Sequence, residues 1–80
     1  MALVESLELI RKERQSVHKP TRCGYSVFRD DQGNRYLQLD TYGTDDRELA
    51  GKVSQSLQFN AAIAAELRAL IDKTFPQTPL

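Results

Sequence analysis

The sequence is poor in the residues that stabilise many small domains by cross-links. It has one cysteine and one histidine among 80 residues, which excludes an internal disulfide and a Cys/His zinc site within a single chain. Long apolar runs are also missing, since none approaches the roughly 18 residues of a membrane-spanning helix, and acids and bases interrupt the first residues, MALVESLELIRKER, unlike a secretory signal. We therefore expect a cytoplasmic protein with no metal and no cofactor.

An excess of charge of one sign is also lacking. Eleven Lys and Arg balance eleven Asp and Glu, for a formal net charge of 0. The whole molecule therefore exerts no long-range attraction on polyanions, and a nucleic-acid contact would need a local patch. The segment from Arg11 to Arg22 is a local positive cluster with Glu13 as its single acid. It is either a solvated helix end, where cations are favoured by the helix dipole, or a segment that contacts a polyanion.

The length of the chain indicates one domain, residues 1–80. A chain this short buries only about two thirds of the surface that its unfolded form exposes. With neither disulfide nor metal to add stability, self-association is a natural way to bury more apolar surface. We expect a homodimer, formed through Leu67, Leu70 and Ile71 of a C-terminal helix or through one face of a sheet.

Hydrophobic periodicity predicts a helix over residues 2–18 and three strands after it. Leu3, Leu7, Ile10 and Val17 share one helical face, and Pro20 ends the helix. Alternating patterns predict strands over 22–29, 35–42 and 52–59, the first two joined by the turn sequence DDQGN and the last two by the polar connection from 43 to 51.

A second helix is predicted over 61–75, with Asn60 as its N-cap and a tail at 76–80. The predicted fold is α+β in the order α-β-β-β-α, a three-stranded antiparallel meander with helices packed on one face, as a dimer.

The strand alternation separates two faces of this sheet. If Leu37, Leu39, Val53, Leu57 and Phe59 point at the helices, together with Val27, the opposite face carries tyrosine, amide and hydroxyl side chains. Tyrosines can stack on unpaired bases while cations meet phosphates. The candidate nucleic-acid-binding residues are Arg22, Arg29, Arg35, Tyr36, Gln38, Tyr42, Lys52 and Ser54, on or beside a face that also carries Asp40, Ser56 and Gln58.

Two other interpretations of this face remain open. Antiparallel sheets commonly leave one face to water, and tyrosine is a good strand former. The same face could also be buried against another chain, in a non-catalytic protein-interaction or assembly module. Asp40, in the middle of the face, counts against a continuous phosphate track.

Signals for catalysis and metal binding are weak. Asp45, Asp46 and Glu48 form an acidic loop, but their spacing does not match an EF-hand. His18 and Cys23 lie close in sequence, yet nothing suggests a third group to orient a base. We expect no enzymatic activity and no small-molecule substrate.

The stretches RYLQLDTYG and GKVSQS, in the run from Arg35 to Phe59, resemble the signature of a family of small bacterial proteins without an assigned activity. Relatives are sometimes labelled methionyl-tRNA formyltransferase-like. An 80-residue chain has no room for the formyl-donor domain of such an enzyme, so we expect no formyl transfer. The chain differs from the family pattern at Ala50, where relatives tend to have proline, and at Asn60, where they tend to have an acid.

The order of sheet and C-terminal helix is also similar to that of the positive-cofactor-4-like single-stranded DNA-binding proteins. This similarity is one of architecture, without a shared motif. It implies strand contacts at Arg35, Tyr36, Tyr42 and Lys52, and dimer contacts on the C-terminal helix.

Overall fold

The computed structural model describes residues 1–43 and 52–77 of the chain. They form an α+β fold with a four-stranded mixed sheet and one helix, and the strands are ordered β1-β4-β3-β2 across the sheet. The elements are β1 (Ala2–Leu3), β2 (Cys23–Arg29), β3 (Arg35–Tyr42), β4 (Val53–Phe59) and α1 (Ala61–Thr74). Most of the predicted connection between β3 and β4, and the last residues of the tail, lie outside the described residues.

A tight turn at Asp30 joins β2 to β3. The Asp30 carboxylate accepts hydrogen bonds from the backbone N–H of Gln32 and of Asn34, each at 2.9 Å, and from the Asn34 amide at 3.1 Å. Gly33 has φ +83°, a conformation that a side chain disfavours. The turn thus uses the aspartate, glycine and asparagine that predicted it, and it sets the register in which Arg29 pairs with Arg35.

The pairing of β2, β3 and β4 is antiparallel, as predicted, and sorts the side chains onto two faces. The prediction of a three-stranded, wholly antiparallel sheet is wrong, because β1 adds a fourth strand in parallel to β4. Residues that pair across strands share a face. The leucine face consists of Leu37 and Leu39 with their partners Val27, Tyr25, Leu57 and Phe59. The tyrosine face consists of Tyr36, Gln38, Asp40 and Tyr42 of β3, with Phe28, Ser56 and Gln58 from the neighbouring strands.

The register between β3 and β4 shifts at the end of the sheet opposite the turn. Thr41 pairs with Gln55, and Tyr42 pairs with Val53. The expectation that Val53 continues the leucine face is wrong, because this shift makes it the partner of Tyr42 instead. Ser54 is left without a partner in β3.

Asn60 starts α1 as predicted. Its side-chain Oδ1 accepts the Ile63 N–H at 2.9 Å, which satisfies one of the donors that a helix leaves free in its first turn. The last turn carries Lys73, where a cation suits the helix dipole. The helix ends at Thr74, one residue before the predicted end.

The helix predicted over 2–18 is not formed. Its first residues, Ala2 and Leu3, form the short strand β1 instead. Ala2 and Leu3 pair in parallel with Leu57 and Gln58 of β4, and the Val4 N–H donates to the Gln58 carbonyl at 2.9 Å. Residues 5–20, here called the N-terminal arm, contain neither helix nor strand. An isolated helix of this length is marginal unless its apolar stripe is buried. Here Val17 is fully exposed.

The prediction that helices cover one face of the sheet is also wrong. With no N-terminal helix and α1 contacting mainly β4, the leucine face lies largely open. Among the described residues, Phe59 and Ile63 are the buried hydrophobic side chains, each 5% exposed. The radius of gyration is 15.4 Å, whereas a compact chain of this length has about 12 Å. The single chain therefore leaves much of its apolar surface in water.

Candidate functional site

A row of hydrogen-bonded polar side chains runs across the centre of the tyrosine face. The Gln58 amide donates to Gln38 Oε1 at 2.8 Å, and the Gln38 amide donates to Asp40 Oδ1 at 3.0 Å. The Ser56 hydroxyl donates to the same Asp40 oxygen. The row joins β3 to β4. Ser56 is buried, whereas Gln38, Asp40 and Gln58 are half-buried and have oxygen lone pairs beyond those used in the row.

Asp40 is held in its ionised form by this row. The hydrogen bond from Ser56 and then that from Gln38 lower the pKa of the Asp40 carboxyl below its ordinary value, against a smaller opposite effect of desolvation. The centre of the tyrosine face therefore carries a negative charge at neutral pH. Such a group repels phosphate and accepts hydrogen bonds from amino groups.

One end of the row is closed by two stacked rings. Phe28 and Tyr36 have ring centroids 5.4 Å apart and an interplanar angle of 21°, an offset arrangement that aromatic pairs favour. The Tyr36 hydroxyl donates to Asp30 Oδ2 at 3.1 Å. This hydrogen bond, followed by desolvation and the Asp30 charge, raises the pKa of Tyr36. The Tyr36 ring is thus fixed on one side by Phe28 and at its tip by the turn.

The other end of the row carries Tyr42 with a cation on its ring. The Arg22 guanidinium carbon lies 4.9 Å from the centroid of the Tyr42 ring, within cation–π range. The backbone ties the same two residues together, since the Tyr42 N–H donates to the Arg22 carbonyl at 3.3 Å. The Thr21 hydroxyl donates to the Tyr42 carbonyl. A Cβ atom added at Gly24 would lie 3.2 Å from the Tyr42 hydroxyl, so glycine leaves room for this ring.

The structure brings together some of the predicted binding residues and separates others. Tyr36, Gln38 and Tyr42 share the tyrosine face, and Arg22 joins them through its contact with Tyr42. Arg35 precedes Tyr36 by one residue and pairs with Arg29, so both arginines belong to the side of the leucine face.

Lys52 and Ser54, which were predicted to bind nucleic acid on the tyrosine face, lie at the start of β4. Both are exposed. Lys52 directly precedes the strand, and Ser54 falls where the register shifts, so neither belongs to the hydrogen-bonded row.

Asp40, Ser56 and Gln58 were expected on this face but not as binding residues, and three further residues of the site were not foreseen. Phe28 supplies the ring beneath Tyr36, Asp30 holds the Tyr36 hydroxyl, and Gly24 makes room for Tyr42. A signal for Phe28 was present, because it alternates with Val27 in β2 and must point away from the leucine face. The other two contacts depend on tertiary geometry.

The N-terminal arm leads into this site. It connects β1 at one edge of the sheet with β2 at the other, and the two residues that directly follow it, Thr21 and Arg22, are anchored at Tyr42. Arg11, Lys12 and Arg14 lie exposed along it. The expected positive cluster is therefore an exposed, non-helical segment that ends at the tyrosine face.

The part of the chain that the structure describes holds no group of three or more metal-binding side chains, whereas the acidic loop with Asp45, Asp46 and Glu48 lies outside the described residues. No helix in the described ranges is long and apolar enough to cross a bilayer. His18 is exposed on the N-terminal arm, and the exposed Cys23 thiol contacts the Gly24 carbonyl at 3.6 Å.

Comparison with known proteins identifies no relative: no protein-family model, curated protein or solved structure matches the chain.

Proposed function

We propose that the tyrosine face binds single-stranded DNA or RNA, as a non-catalytic module in the cytoplasm. The observation that carries the proposal is the arrangement of the two tyrosines. The Tyr36 ring stacks on Phe28, and the Tyr42 ring carries the Arg22 guanidinium. A row of hydrogen-bonding side chains lies between the two tyrosines.

The aromatic rings supply the stacking part of the interaction. An unpaired base stacked on an aromatic side chain gains on the order of 1–3 kcal/mol, whatever its identity. Tyr36 and Tyr42 are six residues apart on β3, which corresponds to about 20 Å along a strand. A single strand lying along β3 would therefore reach both rings with bases between them.

The polar row supplies a preference among bases. Asp40 is ionised and accepts hydrogen bonds only. An exocyclic amino group, with two donor hydrogens, therefore suits it better than thymine or uracil, whose single donor on the base edge is N3–H. Gln38 and Gln58 have both donors and acceptors for base edges. We expect cytosine-rich and adenine-rich oligonucleotides to bind more tightly than oligo-thymidine of the same length.

The phosphates must lie away from Asp40, and Arg22 with the N-terminal arm offers cations at that edge. With few cations engaged, the affinity should fall with salt on a shallow slope. Each neutralised phosphate of a single strand contributes about −0.7 to the slope of log K against log salt concentration.

Fluorescence anisotropy with single-stranded DNA, duplex DNA and RNA oligonucleotides, at several salt concentrations, tests the proposal. Arg22→Gln should weaken single-strand binding and make the salt slope shallower by about 0.7. Arg29→Gln, which removes the same charge from the side of the leucine face, is the matched control and should leave binding nearly unchanged. Flat titrations with all three nucleic acids, or equal losses in the two variants, would refute the proposal.

The alternative, a protein-interaction module that buries the tyrosine face, has less support. Every polar side chain in the row already has a partner. The tyrosine face carries only two of the large apolar side chains that are exposed among the described residues, Phe28 and Val53, whereas the leucine face, the end of α1 and the N-terminal residues carry the others. A partner chain gains most by covering those surfaces and leaving the tyrosine face free.

A further inference from the structure

Within residues 1–43 and 52–77, the single chain has only a small hydrophobic core. No side chain among the described residues is completely buried, and the hydrophobic ones that come close are Phe59 and Ile63. Folding must overcome a backbone entropy cost of about 1–2 kcal/mol per residue, chiefly through buried apolar area. Two nearly buried hydrophobic side chains are too few for a chain of 80 residues without disulfides. Further apolar burial has to come from contacts beyond those that the described residues of one chain make with one another.

Apart from the N-terminal residues, the described part of the chain leaves two apolar surfaces uncovered, and they are of complementary kinds. One is the leucine face, a sheet surface with no helix over most of it. The other is the stripe of α1, which begins at buried Ile63 and continues into water through Leu70 and Ile71 to Phe75. Their exposed fractions are 78% for Tyr25, 60% for Val27, 45% for Leu57, 49% for Leu70, 48% for Ile71 and 66% for Phe75.

We propose that a second copy of this chain covers both surfaces, with the α1 stripe of each copy packed on the leucine face of the other. A two-fold axis produces this contact twice: the helix stripe of the first copy packs on the sheet of the second, and the helix stripe of the second packs on the sheet of the first. Helix-on-sheet packing is the usual way in which an α+β fold buries such faces. This inference is independent of the proposed nucleic-acid binding.

The exposed apolar area is close to what a dimer interface of standard size requires. Large aliphatic and aromatic side chains bury on the order of 150–250 Å² each, so the six exposed side chains offer roughly 700 Å² per chain, close to the roughly 800 Å² per partner of a standard interface. A chain that needs its partner in order to fold must also meet it at all times, which a second copy ensures. The net charge of 0 permits this approach without repulsion.

The competing occupant of the leucine face is the N-terminal arm of the same chain. Its Leu9, Ile10 and Val17 are exposed, and they could cover part of the face if the arm moved. This alternative predicts a monomer, and oligomeric state therefore separates the two possibilities directly.

Sedimentation and light scattering on the unmodified chain are the first test. We expect a dimer at micromolar concentration and a melting temperature that rises with concentration, by about 4 °C for each tenfold increase, because association stabilises by mass action. A monomer with a concentration-independent melting temperature would overturn the proposal.

A cross-linking experiment tests the arrangement itself. Two variants are prepared on a Cys23→Ser background, one with Val27→Cys on the leucine face and one with Leu70→Cys on the helix stripe. They are refolded together and oxidised, and any disulfide between the two engineered positions must join different chains. We expect this linked peptide in high yield by mass spectrometry.

Asp72→Cys in place of Leu70→Cys is the matched control. It lies two residues further along α1, about 200° around the helix and outside the apolar stripe. We expect it to give little or no link to Val27→Cys. A dimer that links Asp72→Cys as well as Leu70→Cys, or links neither, would refute the helix-on-sheet arrangement.

Discussion

Replacing Tyr36 separates a stacking role from a structural one. The Tyr36 ring packs on Phe28 at 5.4 Å, and its hydroxyl is engaged by Asp30. The ring is therefore fixed in place, and it is only half-buried. Tyr36→Ala removes one stacking platform, and we expect the affinity for a single-stranded oligonucleotide to fall roughly 5- to 150-fold, the equivalent of one base–aromatic stack.

Two further variants control for effects on the hairpin. Tyr36→Phe keeps the ring and the stack on Phe28 but loses the hydroxyl, so binding should stay close to that of the unmodified chain. Asp30→Asn perturbs the turn and the hydroxyl contact without removing the ring. We expect it to lower stability in thermal melts while the affinity changes little.

Anisotropy titrations of the three variants, each shown to be folded by circular dichroism, decide the matter. If folded Tyr36→Ala binds as tightly as the unmodified chain, stacking on Tyr36 plays no part. If Tyr36→Phe loses as much affinity as Tyr36→Ala, the hydroxyl rather than the ring is responsible and the stacking argument is wrong.

Four further predictions concern charge and stability. Asp40→Asn removes the negative charge from the tyrosine face, so titrations should show tighter binding of all oligonucleotides and a smaller preference for amino-bearing bases over thymine. Asn60→Ala removes the cap of α1, at a cost of about 1 kcal/mol and a melting-temperature decrease of roughly 4–8 °C; an unchanged melt would contradict the role of the cap. Gly33→Ala meets no neighbour within 4 Å, so its loss of about 1–2 kcal/mol in chemical denaturation should reflect the positive φ alone, and Gly33→Asn should lose less. Hydrogen bonds from Asn34 lower the pKa of Asp30 in the folded chain. The stability that ionised Asp30 contributes is therefore present above about pH 4 and is lost as the pH falls through the lowered pKa. In Asp30→Asn, the free energy of unfolding should depend less on pH below about pH 4.

Local signals predicted the meander and the C-terminal helix well. The bounds of β3 were correct, and those of β2, β4 and α1 were within one residue. These elements carry strong alternation, a turn with Asp, Gly and Asn, and an N-cap directly before a helical stripe. Each of those signals acts between residues that are close in sequence.

The N-terminal region could not be predicted in the same way. β1 has two residues, too few for an alternating pattern, and its partner Leu57 is 55 positions away in the chain. The leucine spacing that favours a helix over 2–18 has an effect only if a surface is available to bury the stripe. Ala2 and Leu3 form backbone hydrogen bonds with β4 instead of starting a helix.

The candidate site could be predicted as a surface but not as a set of contacts. Strand alternation placed Tyr36 and Gln38 together, and the same alternation separates Arg35 from them, which could have been recognised from the sequence. The cation on Tyr42 could not, because Arg22 reaches that ring through an irregular segment that has no periodicity.

The position of β2 at the outside of the sheet affects how the protein can be handled. Its seven residues present a row of backbone amides and carbonyls beside which the described sheet has no further strand. Such a rim can recruit a strand from another molecule, and charged side chains are a common protection against this. Arg29 supplies that protection at one end of β2. Concentrated samples in which this charge is neutralised should therefore gel or form fibres sooner than the native protein.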